Sequence, residues 1–248
     1  MSTSITRLSA MLALICLAAA CDNAGAPEPE PTRTETPSTS CPNEVALSSD
    51  ESARRGELRG DVTGDGDADD VFIAVDEGAE FGCRALLFVA SDDGIRAAPL
   101  DVEGTDSRLG LPALAGIKQV AGDGGGDVIV NMAAGASTQF AGVFTFADEN
   151  LEQIRIEGSQ PPVENLFAHG GGVTQLSAVD CAADDAVLVS TAVAEGRRYR
   201  VDRHTYEFAG GVLARDPTRD ETHRVKLRAV PRSFPEFAGP PFSSCSDA

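Results

Sequence analysis

Three aspartates, Asp69, Asp127 and Asp185, stand 58 residues apart, and each closes a turn that runs straight into an apolar, β-branched stretch. The three passages read "GDADDVFIAVD", "GDGGGDVIVNM" and "DCAADDAVLVS". Equal spacing met twice, with the same chemistry after each turn, marks an internal repeat. A repeated unit of this size has one apolar face to bury and must bury it against its neighbours, so the chain is committed to a repeat-built core.

Within each unit the pattern is that of strands. A short segment ("GELRGD", "AGIKQVAGD", "VTQLSAVD") precedes the acidic turn, and two further strand-like stretches follow the apolar run. These cover 84–90 and 94–102 in the first unit, 139–147 and 151–157 in the second, and 199–208 and 212–216 in the third. Phe140, Phe144 and Phe146 fall on one face, and Ile154 and Ile156 alternate with polar neighbours. Period-two alternation between glycine and aspartate punctuation argues strands. A helical period survives only in a short helix expected around 49–58.

The expected fold is all-β, with three blade-like four-stranded antiparallel repeats in a partial or small β-propeller-like domain. The units run over approximately 57–114, 115–171 and 172–230, followed by a C-terminal clip, 231–248. The stretch "ETHRVKLRAV" after Arg219, with the start near Val45, is a candidate fourth, incomplete blade. In the tail, Phe234, Phe237 and Phe242 among prolines predict a stiff extended clip across an open sheet edge, pinned by Cys245.

The N-terminus reads as an export address. Residues 1–20 carry Arg7, an apolar run and then small residues, the make-up of a secretory signal too short to span a bilayer. Leu17 to Cys21 resemble the lipobox of bacterial lipoproteins, and the Ala-, Gly-, Asp- and Arg-rich composition is similar to that of actinobacterial chains. The resemblance implies cleavage before Cys21, lipidation of that cysteine and a domain held on the extracellular face of the cell membrane. The alternative is a soluble secreted protein cut near the same place. Residues 21–40, rich in Pro, Glu and Thr, lack the apolar surface to offset their ordering entropy and read as a tether to a single domain over 41–248.

Charge and cysteines bound the rest. The net charge is −19, and −20 without Arg7; such a surface repels nucleic acid and anionic headgroups. With Cys16 in the signal and Cys21 lipidated, Cys41, Cys83, Cys181 and Cys245 remain, an even number that implies two disulfides in an oxidising compartment. Three pairings are open; the favoured one joins Cys41 to Cys83 and Cys181 to Cys245, tying each chain end to nearby strands.

The first acidic turn has the chemistry of a calcium loop. Asp61, Asp65 and Asp69 supply carboxylates at alternate positions, Thr63 a hydroxyl, Asp67 its backbone carbonyl, and Gly66 the bend. An EF-hand is excluded, because its twelfth position is Phe72 and a strand follows. Ordinary Asp-Gly turn chemistry without an ion is the competing reading. The stretch from Asp61 to Asp69 resembles the Asp-x-[Asp/Asn]-x-Asp-Gly-x-x-Asp loop of FG-GAP or VCBS repeats, the bladed units of integrin-α-like propellers. Membership would imply a calcium-stabilised blade. The second turn keeps only Asp123 and Asp127 and is expected to hold its shape through "GGG" and backbone hydrogen bonds. The third, with Cys181 inside it, is expected to have lost the ion.

Catalytic motifs are sparse. "HGGG" at 169–172 resembles an esterase oxyanion loop, yet the chain has no Gly-x-Ser-x-Gly elbow, so a flexible connection between repeats is expected. "GDGGGD" lacks the Lys-Ser/Thr ending of a phosphate loop. His204 and His223 fall in no zinc spacing and read as surface residues. The chain has no Trp to stack on a sugar and no carboxylate in an apolar, aromatic-rich setting. "RRYR" at 197–200 reads as a basic patch paired with neighbouring acids, and "GASTQF" at 135–140 as a plain turn. The reading is a noncatalytic cell-surface lipoprotein module, stabilised by calcium, anchored to the membrane by lipid and binding an unknown protein or glycan partner rather than nucleic acid. The alternative is a secreted hydrolase of envelope polymer or an enzyme accessory protein.

Overall fold

A computed structural model describes residues 41–100, 111–122, 124–161, 163–182 and 186–248. The stretches expected to be the signal peptide and the tether, with Cys21, lie outside the described residues, as do Asp123, Asp184 and Asp185.

The structure is predominantly β and almost wholly antiparallel. Strands β1 (Arg54–Gly60), β2 (Asp69–Val75), β3 (Ala85–Ser91) and β4 (Gly94–Pro99) pair in chain order as a four-stranded meander. The order recurs in β5 (Ala113–Lys118), β6 (Asp127–Ala134), β7 (Thr138–Ala147) and β8 (Asn150–Gln153). After two short strands, β9 (Arg155–Ile156) and β10 (Phe167–Gly171), it recurs in β11 (Gln175–Cys181), β12 (Ala186–Glu195), β13 (Arg198–Ala209) and β14 (Val212–Lys226).

Three meanders make two sheets. The first stands alone, whereas β10 pairs with both β7 and β11 and so joins the second and third into one ten-stranded sheet. β9 adds to it by a short parallel ladder with β14, the one departure from antiparallel pairing. Because β8 pairs with β7 and β9 with β14, the segment 150–156 links an interior strand of the second meander to the last strand of the third.

Alternation along the strands explains the layers. On β2, Val71 and Ile73 enter a core with Leu87 and Val89 of β3, Val128 and Val130 of β6 and Phe144 of β7. Their neighbours Phe72 and Ala74 face the opposite way, onto Leu86, Phe88 and a cap made by Cys41, Leu47 and Ala53. β2 and β3 are therefore buried on both faces, which is why "VFIAV" and "ALLFV" are continuous apolar runs. The opposite face of β6 and β7 packs Ile129, Ala141 and Val143 against Phe167, Val179, Val187, Leu213 and Phe242.

The expected helix and the candidate fourth blade need correction. The helix expected around 49–58 is α1 (Glu44–Ser49) followed by a 3-10 turn, Glu51–Ala53; from Arg54 the chain is already strand β1. The stretch "ETHRVKLRAV" starts no fourth blade. Its first six residues continue β14, in register with β13 from Arg203↔Glu221 to Arg198↔Lys226, and Leu227–Ala229 then turn off as a 3-10 helix. A bulge opposite His204 hides this continuity from the alternation, since Thr205 pairs Asp216 and residues 217–220, with a proline that cannot donate to the ladder, loop out between.

The tail is a clip, but a folded one. It forms α2 (Val230–Ser233), a 3-10 turn at Pro235–Phe237 and further turns. It does line open edges: the Phe242 amide donates to the Val179 carbonyl (3.0 Å) beyond the end of β10, and the Gln119 amide donates to Ser246 (2.9 Å). Phe242 is fully buried edge-on to Phe167, and Glu236 is buried under Ser190 Oγ (2.9 Å) and Arg203 Nε (3.1 Å). Disulfides join Cys41 to Cys83, beside the cap on β2 and β3, and Cys181 to Cys245, between the end of β11 and the clip.

Candidate binding groove

The acidic turns are built alike. In the first, Asp69 Oδ2 accepts the backbone N–H groups of Val62 and Thr63, both at 2.8 Å. In the second, Asp127 Oδ2 accepts those of Val120 (2.8 Å) and Ala121 (2.7 Å). Both carboxylates are buried, at 2% and 1% exposure. Gly60 pairs with Asp69 and Lys118 with Asp127, so each connection carries eight residues. The third differs: Ala182 donates to Ala186 at 2.7 Å and closes a shorter connection.

The remaining oxygens of the first turn bind their own backbone. Asp61 takes the amides of Gly64 (2.7 Å) and Gly66 (3.0 Å) on its two oxygens, and Asp65 takes that of Asp67 (2.8 Å). Thr63 Oγ1 approaches Asp69 Oδ1 at 3.5 Å, and the side chains of Asp65 and Asp67 are exposed. The donor set has the oxygen chemistry a hard cation takes, and ligating carboxylates do accept such hydrogen bonds. The geometry is that of Asx turns. Among the described residues no three His, Cys, Asp or Glu side chains group to hold a metal.

Two polar motifs that the sequence leaves unexplained meet elsewhere. "GASTQF" is the β6–β7 hairpin and the start of β7, and "HGGG" is not a flexible connection but strand β10 and its exit. They pair directly, His169 opposite Gln139 and Gly170 opposite Thr138. The Gly171 amide donates to Ser137 (2.7 Å) and the Gly172 amide to Gln175 (2.8 Å), so neither is free to act as an oxyanion donor. A Cβ on Gly171 would lie 2.3 Å from the Gln175 carbonyl, which leaves glycine the only residue that fits.

This pairing floors a groove of about 480 Å³ between the sheet and the clip, in the size range of small-molecule and peptide sites. Lys118, Asn131, Gln139 and His169 line it from β5, β6, β7 and β10, and Pro240 and Pro241 of the clip wall it. A second hollow of about 300 Å³ over the β6–β7 hairpin shares Gln139 and His169. His169 Nε2 lies 3.3 Å from Asn131 Oδ1, and burial holds the imidazole below its ordinary pKa, hence neutral at pH 7. Lys118 is ion-paired with Asp247 of the clip. Among the described residues no Asp or Glu and no Phe, Tyr or Trp lines either hollow, on a chain with 39 acidic residues.

A charge network on β13 and β14 was not legible in the sequence. His204 Nδ1 meets Asp220 at 3.0 Å, with Arg215 on the same carboxylate, while Glu221 joins Arg203 (2.6 Å) and His223 (3.2 Å). Hydrogen bonds from Arg215 and then His204 hold Asp220 below the ordinary carboxylate range. Those from His223 and then Arg203 do the same for Glu221. Only the bulge in β14 brings 220 and 221 opposite their partners. In "RRYR", Arg200 pairs Asp202 at 3.0 Å and Tyr199 is buried.

Fold and groove together define a disulfide-stapled, antiparallel β domain with a neutral polar hollow. Comparison with protein-family models, curated proteins and solved structures found no match.

Proposed function

We propose that this chain is a noncatalytic binding module, exported and tethered to the cell membrane through a lipidated Cys21, with its meanders serving as FG-GAP/VCBS-like blades. The observation that carries the binding role is the convergence of Asn131, Gln139 and His169, from three strands, on one hollow. Side chains on paired strands are held more precisely than side chains on loops, as a recognition surface needs. The repeat reading is supported by the Asp69 and Asp127 turns, alike in length and in hydrogen bonding. Two disulfides suit the oxidising side of a membrane.

Calcium on the Asp61–Asp69 turn is part of this proposal. Asp61, Thr63, Asp65, Asp67 and Asp69 supply the oxygens, and the ion's contribution is to stiffen a turn already closed by Asp69. Millimolar calcium then raises the melting temperature over chelator, and Asp65→Ala removes the rise; equal melts with calcium and chelator end the calcium reading.

The module reading is tested with purified chain and isolated envelope polymers. Sedimentation of the chain with the polymer, without release of reducing ends or esters, is the expected result. Turnover abolished by a single Asp or Ser substitution would establish the hydrolase alternative instead. Mass spectrometry of the mature N-terminus checks the anchor: an acylated Cys21 is expected, and an unmodified Ser, Ala or Asp there excludes it.

A further inference from the structure

We infer that the groove between β5–β7, β10 and the clip binds an uncharged, extended peptide segment, an assignment that rests on the binding-module reading and specifies its ligand. Electrostatics comes first. The net charge is −19, yet the groove lining has no carboxylate, its one ammonium is neutralised by Asp247, and burial keeps His169 neutral. A cationic ligand would find no counter-charge there, and an acidic one would have to displace Asp247 from Lys118 and meet the field of the whole molecule.

Hydrogen bonding narrows the class. Asn131 and Gln139 each carry a carboxamide, one acceptor and two donors, which matches the N–H and C=O that every peptide unit presents. Among the described residues Gln139 makes no side-chain hydrogen bond within the protein, and Asn131 engages only His169, through its oxygen. The Gln139 carboxamide and the amide nitrogen of Asn131 thus stay unspent on β6 and β7, while Ser243 Oγ at the rim is given to Asp180. Pro240, Pro241 and Ile129 supply aliphatic walls. A glycan site is normally floored by a Trp, Tyr or Phe ring for the sugar's apolar face, and among the described residues none of these lines this groove.

The clip gives the site its second wall, held by Cys181–Cys245 and by Asp180, whose carboxylate takes Ser244 N (2.7 Å), Ser244 Oγ (2.8 Å) and Ser243 Oγ (3.2 Å). The groove therefore exists only while the clip is docked.

The test titrates the full chain with N-acetylated, C-amidated pentapeptides lacking charged residues, with counterparts carrying Asp or Lys, and with an N-acetylglucosamine tetramer. Binding is read by calorimetry and by NMR shifts of the Asn131 and Gln139 side-chain amides. Uncharged peptides are expected to bind and shift both amides. Ala115 of β5 also lines the groove, and both it and Gln139 are exposed; Gln139→Ala and Ala115→Glu each weaken binding at least tenfold with the melting temperature unchanged. Absence of peptide binding, peptide binding that both variants leave intact, or binding of the tetramer alone overturns the assignment. If envelope polymer still binds both variants normally, the module reading survives and only the ligand assignment falls; if neither peptide, tetramer nor polymer binds, both fall.

Discussion

Asp69 and Asp127 do the same work 58 residues apart, each placing one buried carboxylate oxygen on two consecutive amides at the mouth of an eight-residue connection. The aspartate side chain closes both turns. Amide bonds to a charged acceptor contribute roughly 1.5–3 kcal/mol each, so either Asp→Ala change is expected to cost about 3 kcal/mol or more. In a domain of this size that lowers the melting temperature by roughly 6–12 °C, and Asp→Asn by less. Differential scanning calorimetry decides it, and unchanged melts would remove the turns from the framework.

The two turns also lock together. Gly126 donates to the Asp61 carbonyl at 2.7 Å, and a Cβ on Gly125 would lie 2.4 Å from the Val62 carbonyl. Gly125→Ala is therefore expected to destabilise by about 1–3 kcal/mol through a backbone clash. Gly116→Ala, with open space around its Cβ, stays within about 0.5 kcal/mol of wild type. Equal urea midpoints for the two variants would contradict the close approach.

Cys181 and Cys245 close a loop of sequence separation 64 and pin the clip. Replacing both by Ser removes about 4 kcal/mol in the chain-entropy model. Limited proteolysis should then cut within 231–248 while the meanders resist. An unaltered digestion pattern would mean that Phe242 and Glu236 hold the clip unaided.

Acid should loosen β13 and β14. Asp220 and Glu221 have folded pKa values below their ordinary 3.8 and 4.5, so the unfolded chain binds more protons. Their stabilisation is present above those ordinary values and is lost as pH falls through the lower folded ones. Arg215→Ala raises the folded pKa of Asp220, so melting temperature should fall less steeply below pH 4.5 in the variant than in wild type. Parallel slopes would exclude the pair.

Much of this was open to a reader of the chain. Asp69 and Asp127, with the apolar runs behind them, announced repeating antiparallel hairpins, because alternation and turn chemistry are local. Local order could not reveal that β10 fuses the second and third meanders, nor that Pro217 sits in a bulge rather than at a strand end. It also could not assign the Asp61 and Asp69 side chains, since a cation and a backbone amide compete for the same oxygens and the spacing suits either.

The sequence by itself determined the strands, the turns that join them and the cysteines available to staple them, each set by neighbours within a few residues. Only the tertiary structure decided the groove, because Asn131, Gln139, His169 and Pro240 share no local pattern and meet through strand register and a docked tail. Register and docking are fixed by which apolar faces bury together, a property of the whole chain.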